Sequence, residues 1–156
     1  MIARCKIESE KIIDGSSVMS GNNHLIEWNS SLRSLKDGNN MFANCTALTT
    51  FNSDLSSLIR GDSMFWLCSE LNSFSGDLSS LVTGNYMFHL TKITSFNHYL
   101  DNLVYADSMF YGSTLASFDS DLKSLVNGLK MFSMCPLQNF SLYSTLSSLV
   151  AGPSMF

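Results

Sequence analysis

The residues with the most specific chemistry in this chain are its four cysteines, Cys5, Cys45, Cys68 and Cys135. Structural zinc sites use close pairs such as C-x-x-C, combined with a second pair or with histidines. No such pair occurs here. Cys45, Cys68 and Cys135 instead recur at one position of a sequence repeat, which is typical of small buried residues. We therefore predict core thiols, no metal ion and no cofactor; a ladder of disulfides or metal ligands is the alternative.

Catalytic groups do not converge in the sequence. His24, His89 and His98 fall at three different positions of the repeat, so stacking the repeats does not bring them together. Serine is abundant, but the chain has neither a G-x-S-x-G nucleophile elbow nor the lysine of a phosphate-binding loop. We predict a protein that is not an enzyme, with a hydrolytic triad as the alternative.

A third candidate group is a column of aspartates. Asp54, Asp77 and Asp121 share one repeat position, where they would bind calcium or a glycan, or would bond nearby amides in turns. Ser31 and Tyr99 interrupt the column. We therefore favour turn chemistry.

All these residues are positioned by a repeat of 22 to 24 residues. Its unit reads G-x-x-M-F-x-x-C-x-x-L-x-x-F-x-x-x-L-x-x-L-x-x. Such a length is too short for paired-helix repeats, which need about 33 to 47 residues, and it matches one coil of a β-rich solenoid. We predict a degenerate N-terminal coil or cap over 1–20 and tandem repeats over 21–156. The Met-Phe pairs and leucines should form the core. The pairs begin at Met41, Met64, Met87, Met109, Met131 and Met155.

Each L-x-x-F-x segment is predicted to be a short strand. In the first clear copy Leu48 and Phe51 point inward, while Thr50 and Asn52 point outward. Identical strands of successive coils would pair in parallel, and M-F-x-x-C would form a short helical turn. One internal column of rings should result. Its members are Phe51, Phe74, Phe96 and Phe118.

The outward side chains of these strands are the predicted ligand-binding residues, here called the strand-face ribbon. Small hydroxyls and amides in a row offer many hydrogen bonds at a low cost in side-chain entropy. An extended protein segment or a sugar would suit such a surface; solvated polar padding is the alternative. The ribbon comprises Thr50, Asn52, Ser73, Ser75, Ser95, Asn97, Ser117 and Asp119.

Composition excludes several partners. Charged residues are 14% of the 156, below the usual ~25%, and the net charge is −4 without a basic stripe, so we expect no nucleic acid. No apolar run approaches the ~18 residues of a membrane span, so we expect no membrane insertion. The N-terminus has no signal-peptide core, which leaves the compartment open.

The phrase S-L-x-x-G-x-x-M-F-x-x-C-x-x-L-x-x-F resembles the BspA-type leucine-rich repeat, whose unit reads roughly I-G-x-x-A-F-x-x-C-x-x-L-x-x-I-x-I-P. The resemblance covers residues 12–156. It implies a leucine-rich-repeat-like right-handed solenoid, with a parallel β-sheet on one face and short helical turns or strands on the other.

Proteins of that family are surface adhesins and recognition modules of bacteria and some protists and, in related versions, phage-associated proteins. The resemblance thus implies adhesion to a protein or surface glycan, at a cell surface or on a virion. The alternative is a structural segment of a larger surface or virion protein that self-associates end to end. The chain stops on a repeat anchor, Phe156, which suggests a fragment, a module of a longer chain, or half of such a contact.

Overall fold

The computed structural model describes residues 3–4, 11–142, 146–152 and 154–156. Within them the regular elements are seven short strands, one per coil, and no helix. Consecutive strands pair in parallel, except β4 with β5, which gives one sheet of four strands and one of three. The predicted repeat solenoid is confirmed, with two sheets in place of one. The strands are β1 (Ala3–Arg4), β2 (Leu25–Trp28), β3 (Thr50–Asn52), β4 (Ser73–Ser75), β5 (Ser95–Phe96), β6 (Ser117–Asp119) and β7 (Asn139–Ser141).

A second ladder joins the coils away from the sheets. It consists of single-residue parallel bridges, one per coil, and it continues past the point where the sheet stops. The bridge ladder therefore holds neighbouring coils together at a second place on their circumference, apart from the sheets. The bridge residues are Asp14, Asp37, Arg60, Thr83, Tyr105, Asn127 and Ala151.

The M-F-x-x-C stretch forms β-turns where the sequence predicted a short helical turn. The amide of Met41 donates to the Gly38 carbonyl at 3.0 Å, but that of Phe42 donates to the Met64 carbonyl of the next coil at 2.9 Å. Asn40 has a φ of 56°, in the left-handed region, which a right-handed helix does not contain. Because alternate amides bond to the neighbouring coil, the stretch cannot close a helix.

The core holds two interleaved columns of aromatic rings. In the first, the phenylalanines of the Met-Phe pairs stack at 5.4–5.7 Å between centroids from Phe42 to Phe132. In the second, the strand aromatics stack as predicted, for example Phe51 on Phe74 at 5.6 Å. Rings of different columns meet edge to face, the arrangement that their quadrupoles favour. The predicted Met-Phe and leucine core is confirmed for the coils between residues 25 and 132, where these side chains are buried.

A column of polar side chains fixes the register of successive coils. The side-chain oxygen of Asn39 accepts the Asp62 amide at 2.8 Å, and Asp62 in turn accepts the Asn85 amide at 2.7 Å. Asn85 then accepts the Asp107 amide at 2.8 Å, and Asp107 accepts the Leu129 amide at 3.1 Å. Each coil thereby satisfies an amide of the next, so a shift of one coil against another would break these bonds.

Candidate binding site

Side chains of the strand-face ribbon lie in register across the paired strands. Thr50 faces Ser73 and Asn52 faces Ser75 in the first sheet, and Ser95 pairs with Ser117 in the second. Their alternation with buried rings follows from the two-residue period of a strand. The ribbon is therefore a surface of small polar groups over a rigid aromatic core, and its binding role stays a prediction. Exposed members are Asn52, Ser73, Ser75, Ser95 and Asn97; partly exposed ones are Thr50, Ser117 and Asp119.

This ribbon is interrupted between β4 and β5, which are not hydrogen-bonded to each other. The rings of Phe74 and Phe96 lie 6.5 Å apart, whereas the next pair, Phe96 and Phe118, lies at 5.9 Å. The bridge ladder still joins these coils, because Thr83 pairs with Arg60 on one side and with Tyr105 on the other. The coils thus separate only at the sheet face.

The gap coincides with a change in coil length. Coils 15–37, 38–60 and 61–83 contain 23 residues each, while 84–105 and 106–127 contain 22. The missing residue lies before the strand: two residues separate Cys68 from Leu71, but only one separates Thr91 from Ile93. β5 is therefore reached one residue sooner than β4, at the interface where pairing stops.

His98 lies beside the gap. Its ring lies 5.1 Å from the Phe74 ring and 4.8 Å from the Phe96 ring, edge-on to both. Gly76, buried in the preceding coil, lets the Phe74 ring pack close to the backbone, since a Cβ there would come within 2.9 Å of the ring tip. Burial lowers the pKa of His98, although the Phe74 carbonyl and the Asp77 carboxylate oppose this. The imidazole is thus uncharged, at a position that is occupied by Ser30, Ser53, Gly76 and Ser120 in four other coils and by Leu142 in the coil of β7.

A cleft of about 430 Å³ opens at this gap. It is lined by segments 52–54, 75–78 and 97–99, which are the carboxyl ends of β3 and β4, the residues just after β5, and the turns that follow. Three members of the strand-face ribbon, Asn52, Ser75 and Asn97, belong to it. The other five ribbon residues lie outside the cleft.

The cysteines are core residues, as predicted. Cys45, Cys68 and Cys135 are free thiols, and the disulfide alternative is wrong for these three. Cys68 is buried and its Sγ donates to the Phe42 carbonyl at 3.1 Å. Burial raises the pKa of the Cys68 thiol well above its usual value. Within the part of the chain that the structure describes, no group of three metal-binding side chains occurs; Cys5 lies outside that part.

The aspartate column serves turns, as predicted. Oδ1 of Asp54 accepts the Ser56 amide and Oδ1 of Asp77 accepts the Ser79 amide, both at 2.9 Å. Hydrogen bonds from the Ser56 hydroxyl and amide hold the pKa of Asp54 below its usual value. Both carboxylates are therefore fixed in orientation by their turns, and both are part of the cleft lining.

A family comparison agrees with this architecture. The model of the BspA type leucine rich repeat region matches residues 12–116 in six copies. The chain belongs to the BspA-type leucine-rich repeat family. In the structure the coils continue beyond residue 116 through β6 and β7.

Further comparisons add no named relative. Neither the curated proteins nor the solved structures yielded a match. Membership of the BspA-type family identifies the chain as a repeat module for protein interaction, of a kind that is generally non-catalytic. No helix of the described residues is long and apolar enough to cross a bilayer. The division into a cap over 1–20 and repeats over 21–156 stays a prediction, and residues 1–2 and 5–10 lie outside the described part.

Proposed function

We propose that this chain is a non-catalytic recognition and adhesion module that binds a protein or a surface glycan through its sheet face. The observation that carries the proposal is the strand-face ribbon: an exposed row of small polar side chains, in register over stacked aromatic rings. Fixing the backbone in advance lowers the entropy cost of binding. We extend the proposal to a cell-surface or virion location from the family's character.

The low charge of the strand-face ribbon favours a ligand that is neutral, or that carries both signs of charge, over a ligand with a high net charge. Of the eight ribbon residues only Asp119 is charged, and it is partly buried. Affinity would then come from hydrogen bonds and shape, with little electrostatic steering of the encounter. Binding should accordingly persist in high salt.

Arrays of extracellular-matrix proteins and of glycans test the proposal directly. We expect saturable binding that falls about tenfold or more when a lysine is placed on the ribbon, as in Ser73→Lys or Ser117→Lys. Leu129→Lys, which adds the same charge at an exposed position on the bridge side, is the matched control. No binding on either array, or equal binding by all variants, would refute a recognition role for this face.

Self-association end to end is the second candidate. It is favoured by the exposed rings of the last coil: Phe140 and Phe156 are 39% and 64% exposed, although the equivalent rings Phe118 and Phe132 are buried. Another coil stacked there would cover them. Sedimentation over a wide concentration range should then show association that Phe156→Lys abolishes; a strict monomer throughout would count against it.

A further inference from the structure

We propose that the cleft between β4 and β5 binds a neutral pyranose residue of a glycan. The proposal rests on the recognition role proposed above and names the ligand class for one part of the same face. Its place is defined by segments 52–54, 75–78 and 97–99.

The cleft has the size and position of a small-ligand site. About 430 Å³ falls within the range of roughly 300–1,000 Å³ typical of ligand clefts. Because the strands are parallel, their carboxyl ends lie at one edge, so side chains of three coils converge there. No single coil could supply them, and His98 lies at this edge, edge-on to Phe74 and Phe96.

The lining combines the donors and acceptors that a sugar needs. A sugar hydroxyl both donates and accepts, and it therefore pairs well with amides and carboxylates placed side by side. Asn52 and Asn97 supply amides, and Asp54 and Asp77 supply carboxylates whose orientation the turns already fix. Hydrogen bonds to such charged acceptors are stronger than neutral ones.

Tyr99 provides an apolar platform at the cleft. Its side chain is 74% exposed, at a repeat position where the neighbouring coils have Asp77 and Asp121. An exposed aromatic ring in a row of polar residues is a characteristic of binding surfaces, since it offers a large rigid contact with a polar tip. The C–H face of a pyranose ring is the matching surface.

Charge and shape decide between ligand classes. The lining holds two carboxylates and neither lysine nor arginine, so sialylated or sulfated glycans would be repelled. A protein hot spot would need a deep apolar pocket for an anchoring side chain. Leu78 is the aliphatic residue of this lining, and it is already buried in the core. A neutral sugar is not repelled by the carboxylates and does not need a deep apolar pocket.

Saturation-transfer NMR on the whole chain tests this directly, because it detects weak binding. The probes are methyl glycosides of glucose, galactose, mannose and N-acetylglucosamine, with lactose and 3′-sialyllactose as a neutral and anionic pair. We expect saturation of at least one neutral probe and less for sialyllactose than for lactose. Tyr99→Ser and Asp77→Asn should each raise the Kd roughly tenfold or more.

Matched variants separate this inference from the general proposal. Tyr105→Ser removes another exposed tyrosine, on the bridge ladder, and Asp121→Asn removes the equivalent carboxylate of a coil outside the cleft. Both should bind as wild type does. The sugar site would be overturned if no neutral probe binds, if the control variants lose as much sugar affinity as the cleft variants, or if Tyr99→Ser binds the probes unchanged. If a protein ligand is still captured and Ser117→Lys weakens it, the recognition role stands without the sugar site.

Discussion

Phe74→Ala should remove the ring that joins the two sheets. An emptied aromatic core site costs about 3–5 kcal/mol. Phe74 is half-buried and its stack on Phe96 is already stretched to 6.5 Å, so we place its cost near about 2–4 kcal/mol. The ring also meets Phe88 and His98 edge-on at 4.9 and 5.1 Å, and both contacts cross the gap. Their loss should uncouple the coils on its two sides.

The positions of the tryptophans provide the assay. Trp28 and Trp66, the two in the chain, both precede β5, so tryptophan fluorescence reports the first half, whereas far-UV circular dichroism averages every coil. Urea unfolding of the wild type should give coincident transitions by both probes. Phe74→Ala should give separated midpoints, since a solenoid behaves as a one-dimensional stack of nearest-neighbour contacts.

Phe51→Ala is the control with the larger local cost. Phe51 is fully buried within the four-stranded sheet, and its ring meets Phe65 at 4.7 Å, so we expect about 3–5 kcal/mol. Its contacts do not span the gap, and the two probes should still coincide. Coincident transitions in Phe74→Ala would refute the reasoning that the β4–β5 interface is the weak point of the stack.

Three further predictions follow from the same coordinates. Ser53→Ala should lower the free energy of unfolding in urea by about 1 kcal/mol, because the buried Oγ of Ser53 donates to a carbonyl of the preceding coil at 2.7 Å. Ser120→Ala should be neutral or stabilising, since the buried Oγ of Ser120 has no partner among the described residues. A larger loss of stability in Ser120→Ala than in Ser53→Ala would contradict this reasoning. Ser75→Ala, on the exposed ribbon, should stay within about 0.5 kcal/mol, and a larger loss would show that this residue is structural. Burial lowers the pKa of His89 and His98 below 6.5, so the unfolded chain binds more protons than the folded one as the pH falls past that value. The melting temperature should therefore be highest above about pH 6.5 and should decline below it. Replacing both histidines with glutamine should make this decline smaller.

The repeat period, strands and core were predictable because every coil meets the same constraint. A residue such as Phe51 must fill the same space as the rings above and below it, so its type recurs at a fixed spacing. The turn type was not predictable in this way. The first left-handed position of the turn is occupied by residues such as Asn40, Ser63 and Tyr86, with φ of 56–58°, and not by the glycine that usually marks such a backbone.

The break in the sheet was also missed, although its signals are present. Spacing falls from 23 residues between Met64 and Met87 to 22 between Met87 and Met109. Spacing alone does not tell whether the lost residue shortens a turn or shifts a strand, because both keep the anchors in phase. The bulk of His98 does not mark the gap by itself, because Leu142 holds the same repeat position in a coil whose strand stays paired.

Specific recognition by a stack of near-identical coils requires a departure from the repeat, because a uniform face offers the same contacts at every step. In this chain four departures meet at one interface: the residue missing before Ile93, the small Gly76, the bulky His98 and the exposed Tyr99. The last three all line the opening, and Tyr99 adds an aromatic surface to it. In the second sheet Ser120 and Asp121 keep the repeat, and the strands stay paired. The ribbon within each sheet thus supplies contact area that repeats from coil to coil, whereas the gap supplies a site where a ligand would meet a distinct set of groups.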